Sequence, residues 1–307
     1  MRLSTIAGSR GPTTRVVLAA ALLALAAAAG AAGASGAGGP GGGDRKKELP
    51  RGGTSVFPDF RVVAFAGAPQ ARGLGILGIG SPKRAAKRLR RQAKPYESGE
   101  KPVLPAFELI ATIALASPGP GGKYRRRQSK GTIRRYLRAA RRARDLLVLD
   151  IQPGRSTFIK EVQKLRGFLR KPEVGIALDP EWNMGPGGVP GERVGSVGAG
   201  MVNRVARFMS GMVRKHDLPE KLLVVHQFTE AMIRNEAGIK TPPGVAVTLN
   251  SDGFGTPAQK RARYKDLAPT GGGKHPGFKL FFQEDTNLMS PAQVMGLNPR
   301  PEFVVYE

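Results

Sequence analysis

Apolar residues recur in eight short runs between residues 61 and 307, and most of these runs end in an acid, an amide or a histidine. Each run has the length of a β-strand, and helical patterns lie between the runs. Alternation of buried strands with helices over about 250 residues predicts a parallel α/β fold, and eight strands predict a (β/α)8 TIM barrel. The predicted strands are Arg61–Gly67, Phe107–Ala114, Leu146–Gln152, Val174–Glu181, Leu222–Phe228, Val245–Asp252, Phe278–Asp285 and Phe303–Glu307.

Helices are predicted after seven of the eight strands. Several of these stretches begin with Ser or Thr next to Pro, which is typical of a helix N-terminus. No helical stretch follows the eighth strand in the sequence, so we expect the eighth helix to be absent. The predicted helices are Pro82–Ala93, Thr132–Arg144, Ser156–Arg170, Ser196–Lys215, Thr229–Glu236, Pro257–Leu267 and Ser290–Met295.

The fourth strand shows which face of the sheet lines the barrel. Successive side chains of a strand point to opposite faces, so the small and acidic residues share one face and the large aliphatic residues share the other. We expect the aliphatic face to pack against the helices and the acidic face to line the barrel mouth, where active sites of such barrels lie. The two faces are Gly175, Ala177, Asp179 and Glu181, and Val174, Ile176 and Leu178.

The acids that follow the fourth and seventh strands resemble the catalytic pair of the large clan of retaining glycoside hydrolases built on this barrel. By that resemblance Glu181 would be the general acid/base and Glu284 the nucleophile. The chemistry needs one carboxyl group to protonate the leaving oxygen and a second to attack or stabilise the oxocarbenium-like centre. The clan usually has Asn before the strand-four Glu, whereas this chain has Pro180, so the resemblance rests on position alone.

A second glycosidase arrangement uses Asp179 and Glu181 as a D-x-E pair, in which the first carboxylate raises the pKa of the second. Both arrangements need Glu181. The alternative is that these acids only form ion pairs with Arg or Lys in the barrel mouth. Further polar residues at the strand ends are candidates for binding sugar hydroxyls or holding the carboxyl groups, and the single Trp is a candidate for stacking on a sugar or packing at the rim. This set comprises Asp150, Gln152, Trp182, His226, Gln227, Asn250, Asp252 and Asp285.

Cofactor and metal motifs are weak. Gly73–Gly78 matches G-x-G-x-x-G, but the next strand ends without the acid that would bind a ribose, so we predict a loop and no cofactor. The chain has only three His and no H-x-H or H-x-x-x-H spacing, so no transition-metal ligand is assigned. Binding of Ca²⁺ or Mg²⁺ by the strand-end carboxylates is left open.

The N-terminus has the three regions of a secretory signal peptide: early arginines, an apolar run from Val16 to Ala29, and small residues with A-x-A spacing. The predicted domains are a signal peptide at residues 1–34, a Gly-rich disordered tether at 35–56 and the barrel at 57–307. The chain has no Cys, which excludes disulfides, thiolate metal sites and an N-terminal lipid-modified Cys. We therefore expect a secreted or envelope-associated protein with no stable membrane span after cleavage.

The chain carries 49 Lys and Arg against 23 Asp and Glu, a formal net charge of +26. The densest basic tracts, Lys83–Lys94 and Lys123–Arg144, fall where outer helices are predicted. They are solvated helix faces, or they bind an anionic envelope polymer. Nucleic acid is not expected as a partner, because the sequence has no nucleic-acid-binding motif and its aromatic residues are few and scattered.

Five short segments together resemble a group of secreted or lipoprotein-like actinobacterial proteins of unassigned activity. The segments are LLVLDIQPGRS, ALDPEW, KLLVVHQF, DGFG and FKLFFQED. The resemblance covers about residues 60–307. It implies export and a single barrel but no reaction, and this chain departs from the lipoprotein-like members in having no Cys. The sequence thus predicts an exported glycoside-hydrolase-like enzyme acting on an envelope or extracellular polysaccharide. The alternative is a non-catalytic envelope protein that binds glycan or an anionic polymer.

Overall fold

The computed structural model describes residues 47–97, 99, 101–119 and 121–307, so the predicted signal peptide and the start of the predicted tether lie outside the described residues. Eight parallel strands form a closed barrel, because the strand Arg61–Gly67 pairs with both Val103–Ala114 and Phe303–Tyr306. The strands are β1 Arg61–Gly67, β2 Val103–Ala114, β3 Leu146–Ile151, β4 Val174–Leu178, β5 Lys221–Gln227, β6 Val245–Ser251, β7 His275–Leu280 and β8 Phe303–Tyr306. The predicted TIM-barrel-like sheet is confirmed.

The inside of the barrel changes from apolar to polar along the strands. Its lower part is a packed apolar cluster that includes Val62, Leu104, Val148 and Ala177. Burial of such side chains supplies the main driving force for folding. The upper part contains charged and amide side chains, so the polar groups collect at the carboxyl ends of the strands.

The segment before β1 packs against the lower end of this interior. Leu49, Val56, Phe57 and Phe60 belong to the same apolar cluster as the inward residues of the strands. The carboxylate of Glu220 accepts a hydrogen bond of 2.6 Å from the backbone N–H of Val56. Leu49 and Val56 therefore pack with the barrel, although they lie in the range predicted as a disordered tether.

Outside the barrel, the helices cover the aliphatic face of the strands. Val174, Ile176 and Leu178 belong to the sheet–helix layer, whereas Ala177 belongs to the interior cluster, as the alternation predicts. None of the helices in the described ranges has the length and hydropathy needed to span a membrane. The helices are α1 Pro82–Ala93, α2 Lys130–Ala143, α3 Phe158–Lys164, α4 Arg166–Leu169, α5 Ala199–His216, α6 Pro257–Leu267 and α7 Pro291–Met295.

The helix predicted at Thr229–Glu236 is wrong. This segment forms a 3-10 turn at Glu230–Met232 and a short strand, Ile233–Arg234, which pairs in parallel with Val197–Gly198. Eight residues form few helical hydrogen bonds, so pairing with a neighbouring segment outweighs their weak helical preference. The helix predicted at Ser156–Arg170 is divided into α3 and α4.

Strand β7 lies earlier in the chain than the sequence predicts. It runs from His275 to Leu280, and the predicted continuation to Asp285 is a turn. This shift moves Glu284 away from the strand end and makes Lys279 an inward-facing residue, because Lys279 pairs with Asp252 inside the mouth.

Candidate functional site

The barrel mouth contains a buried polar layer supplied by six neighbouring strands. Five of its six members lie near the carboxyl end of their strand or just after it, where parallel strands bring these ends together, and Glu108 lies in the middle of the long strand β2. All six are at most 7% exposed, so their charges are largely removed from water. They are Glu108 of β2, Asp150 of β3, Asp179 after β4, His226 of β5, Asn250 of β6 and Lys279 of β7.

Asp252, which follows β6, is the centre of an ion-pair network. Its Oδ2 atom lies 3.1 Å from Lys279 Nζ and 3.3 Å from His226 Nδ1, and its Oδ1 atom accepts a hydrogen bond of 2.6 Å from Gly253 N. Burial alone would raise the pKa of Asp252, but Lys279 and His226 outweigh burial and hold it far below its usual value. Asp252 is therefore an ionised carboxylate with both oxygens engaged.

Two cations complete the network. His226 Nε2 lies 3.2 Å from Glu108 Oε1, and Lys279 Nζ lies 2.5 Å from Glu307 Oε2. Burial would lower the pKa of His226, but Glu108 and the contact with Asp252 raise it well above its usual value. Burial likewise opposes the charge of Lys279, and the surrounding carboxylates Asp252 and Glu307 raise its pKa. Both shifts favour the cationic form of the side chain.

Three other carboxyl groups of the mouth have raised pKa values. Burial raises the pKa of Asp150 well above its usual value, and nearby Asp179 raises it further. Burial and the proximity of Glu181 do the same for Asp179, whose Oδ2 accepts a hydrogen bond of 3.2 Å from Gln152 Nε2. Burial, followed by the nearby like charge, therefore favours the neutral form of both carboxyl groups.

Glu181 lies nearer the surface than Asp179 and is partly exposed. Burial, followed by the charge of Asp252, raises its pKa to about 7. The mouth therefore contains one partly exposed carboxyl group that is half protonated near neutral pH and one buried carboxylate that stays ionised. Pairs of acids whose environments separate their pKa values in this way are typical of general acid–base sites.

Glu284 lies apart from this buried layer. It is exposed on the turn after β7 and lines a small cavity of about 170 Å³ at the rim, together with Glu307 and the aromatic residues Phe254 and Phe281. The two phenyl rings meet edge to face with centroids 6.0 Å apart. Glu307 connects this cavity to the buried network, because its carboxylate also contacts Lys279.

Two other predicted site residues have different surroundings. Asp285 forms a buried ion pair of 2.9 Å with Lys260 of α6, and it accepts a hydrogen bond from Gly255 N. Gln227 donates to Glu236 and to the carbonyl of Leu267, outside the polar layer of the mouth. Both side chains therefore contact residues outside the polar layer of the mouth.

Trp182 ends a 3-10 turn, Pro180–Trp182, directly above β4. It is partly exposed, and its indole Nε1 is buried without a hydrogen-bond partner among the described residues. A buried donor without a partner is costly, and a ligand or water could satisfy it. Its position beside Glu181 keeps it a candidate for contact with substrate.

Sequence reasoning missed Glu108, Lys279 and Glu307. Glu108 and Lys279 are charged residues inside apolar runs, FELIATIA and FKLFF. A charged residue within a buried strand needs a partner of opposite charge. The presence of one acid and one Lys inside predicted strands could therefore have indicated a buried polar site. Glu307 ends the last predicted strand, and its neighbour Lys279 became evident only from the register of β7 and β8.

No model of a known protein family matches the chain, and no curated protein matches its sequence. Within the part of the chain that the structure describes, no group of three or more His, Asp and Glu side chains is arranged so that it could hold a metal ion. The arrangement of the mouth itself is therefore the basis for a functional proposal.

Proposed function

We propose that the barrel mouth is the active site of an exported glycoside hydrolase that cleaves an envelope or extracellular polysaccharide. The proposal rests on two neighbouring acids whose pKa values are shifted in opposite directions. The pKa of Glu181 is raised to about 7, and that of Asp252 is lowered. A glycosidase needs a protonated acid near the leaving oxygen and negative charge near the developing oxocarbenium centre.

Glu181 is the general acid in this proposal. Its partial exposure gives it access to a substrate, and its pKa keeps a large fraction protonated at neutral pH. Asp252 is unsuited to attack, because both of its oxygens are engaged, so it acts by its charge. Of the two predicted partners of Glu181, Glu284 lines the rim cavity, whereas the raised pKa of Asp179 favours its neutral form and makes it the weaker candidate for a charged partner.

The rim supports a sugar as substrate. Phe254 is 60% exposed and stands beside the cavity that Glu284 and Glu307 line. An exposed aromatic face next to carboxylates gives apolar contact to the ring of a sugar and hydrogen bonds to its hydroxyl groups. Trp182 adds a second aromatic side chain next to Glu181.

The first test is release of new reducing ends from a panel of bacterial envelope and plant polysaccharides. Wild-type protein should release them, and Glu181→Gln should lose at least about 100-fold of the rate, because general acid catalysis contributes about that much. The melting temperature of the variant should not fall. Retained activity in Glu181→Gln would remove the glycosidase assignment of this residue.

The partner carboxylate is distinguished in the same assay. Glu284→Gln should abolish turnover if the rim carboxylate is the nucleophile, and Asp179→Asn should do so if the D-x-E pair operates. Thr286→Ala, on the same exposed turn as Glu284 but outside the rim cavity, is the matched control and should retain activity. Because the general acid must be protonated, kcat/KM should also fall above about pH 7.

A further inference from the structure

A long basic groove lies on the outer wall of the barrel, between α2 and the pair α3 and α4. Its volume is about 1350 Å³, and twelve of its eighteen lining residues are Lys or Arg. None of the lining residues, all within the described part of the chain, is Asp or Glu. The groove is therefore a concave surface of one charge sign, which concentrates the electrostatic potential.

Two arginines of the groove are held in place from beneath. The side chain of Glu161 is fully buried, and its carboxylate accepts hydrogen bonds from Arg125 Nε at 3.0 Å and from Arg127 Nε at 2.5 Å. Burial would raise the pKa of Glu161, but the bonds and charges of these arginines lower it. The two guanidinium groups are thus fixed before a ligand arrives, which reduces the entropy lost on binding.

The cations along the groove follow the repeat of a helix. On α2, Lys130, Arg134, Arg138 and Arg141 line it, at intervals of three or four residues. A rise of about 1.5 Å per residue makes successive cations about 5–6 Å apart along the helix axis. Lys160 and Lys164 of α3 line the opposite wall with the same interval.

These rows of like charge repel one another unless an anion lies between them. A regular ladder along a groove suits a linear polymer with one negative group per repeat. Arg guanidinium groups bind phosphate and carboxylate in the same two-pronged manner, and Lys binds phosphate as a point charge, so a groove that mixes both cations suits phosphate.

The groove lacks the surface that a nucleic acid needs for its bases. Its only aromatic lining residues are Phe168 and Phe208, and both are partly buried and packed against the core. Proteins that bind single strands present aromatic side chains on which bases stack. We propose that the groove binds a linear phosphate polymer without bases, independently of the chemistry in the mouth.

The experiment titrates the full chain with linear inorganic polyphosphate at several salt concentrations. The test variant carries Arg134→Gln, Arg138→Gln and Lys164→Gln, three exposed groove positions. The matched control carries Lys83→Gln, Lys87→Gln and Arg91→Gln, three exposed positions of α1 that do not line the groove. Both variants have the same net charge, and their melting temperatures confirm folding.

We expect the groove variant to bind roughly tenfold or more weakly than wild type, and the slope of log K against log salt to fall by about 2–3, because each lost phosphate contact releases about one counterion fewer. The control variant should bind nearly as wild type. Equal weakening in both variants would overturn the proposal, since it would show attraction to net charge alone.

Two competitors test the chemical class. Polygalacturonate, which carries carboxylates, should displace polyphosphate poorly, and oligothymidylate should compete through its phosphates alone and therefore less well than unlabelled polyphosphate at equal phosphate concentration. Displacement by polygalacturonate at equal concentration would overturn the choice of phosphate, and preference for oligothymidylate would assign the groove to nucleic acid. Glu181→Gln should bind polyphosphate as wild type does, so failure of the hydrolase proposal is separable from failure of this one.

Discussion

The barrel mouth and the basic groove hold their charged residues in opposite surroundings, one buried and one exposed to water. In the mouth, six carboxyl groups surround two cations, and most of these side chains are buried. In the groove, twelve cations line a surface open to water, and only a few have acidic partners. Buried charges must be paired or neutralised, whereas exposed charges of one sign are tolerated because water and salt screen them. Removing a charge should therefore have very different effects in the two regions.

The largest effect should come from Lys279→Met in the mouth. This change removes the cation that Asp252 and Glu307 share and leaves Asp252 with His226 alone, and breaking a buried pair typically costs about 3–5 kcal/mol. Urea unfolding at pH 7 measures this loss in the free energy of unfolding.

Arg138→Met in the groove is the comparison. Arg138 is exposed on α2, so its loss should change the free energy of unfolding by no more than about 0.5 kcal/mol. Equal effects of the two substitutions would mean that the mouth is as well solvated as the groove, and the contrast between the regions would fail.

The second-largest effect should be a pH dependence of stability that Glu181 in the mouth causes. The pKa of Glu181 is about 7 in the folded protein, against an ordinary value of 4.5. Between these pH values the folded state keeps a proton that the unfolded state has lost, so this group makes stability fall as pH rises from about 4.5 to 7. Wild type should lose up to about 3 kcal/mol across this range relative to Glu181→Gln. Parallel stability curves for the two proteins would contradict the raised pKa.

The fold was predictable because its signal repeats along the chain. Alternation in β4 places Ala177 inside the barrel and Ile176 under the helices, and the same rule places Asp179 at the mouth. Carboxyl ends of parallel strands meet at one end of the barrel, so Asp150, His226 and Asp252 were also expected together. These conclusions need only the period of a strand and the direction of its neighbours.

The position of Lys279 was not predictable in the same way. Phe281 and Phe282 extend the apolar run beyond the end of β7, because Phe282 stacks on Tyr306 and Phe281 packs against Phe254 after the backbone has left the sheet. The sequence pattern therefore predicts a strand that continues beyond Leu280 and ends near Glu284. Which residues leave the sheet depends on tertiary packing that a local pattern does not contain.

The smallest of the three effects should come from Glu161, the buried acid beneath the groove. Glu161→Gln leaves Arg125 and Arg127 without their carboxylate, but Arg127 is 40% exposed and water replaces part of the loss. We expect a cost of about 2 kcal/mol at pH 7, measured by urea unfolding. The exposed Glu230→Gln is the control and should change stability by no more than about 0.5 kcal/mol.

The pH dependence of this cost has the opposite sign to that of Glu181. The folded-state pKa of Glu161 lies below its ordinary value of 4.5, so its stabilising contribution is present above that pH and is lost as pH falls through the folded pKa. The difference between wild type and Glu161→Gln should therefore shrink in acid, whereas the difference for Glu181→Gln should grow from acid to neutral pH. A cost for Glu161→Gln that stayed constant into acid would mean that packing of the side chain, rather than its charge, supports the groove.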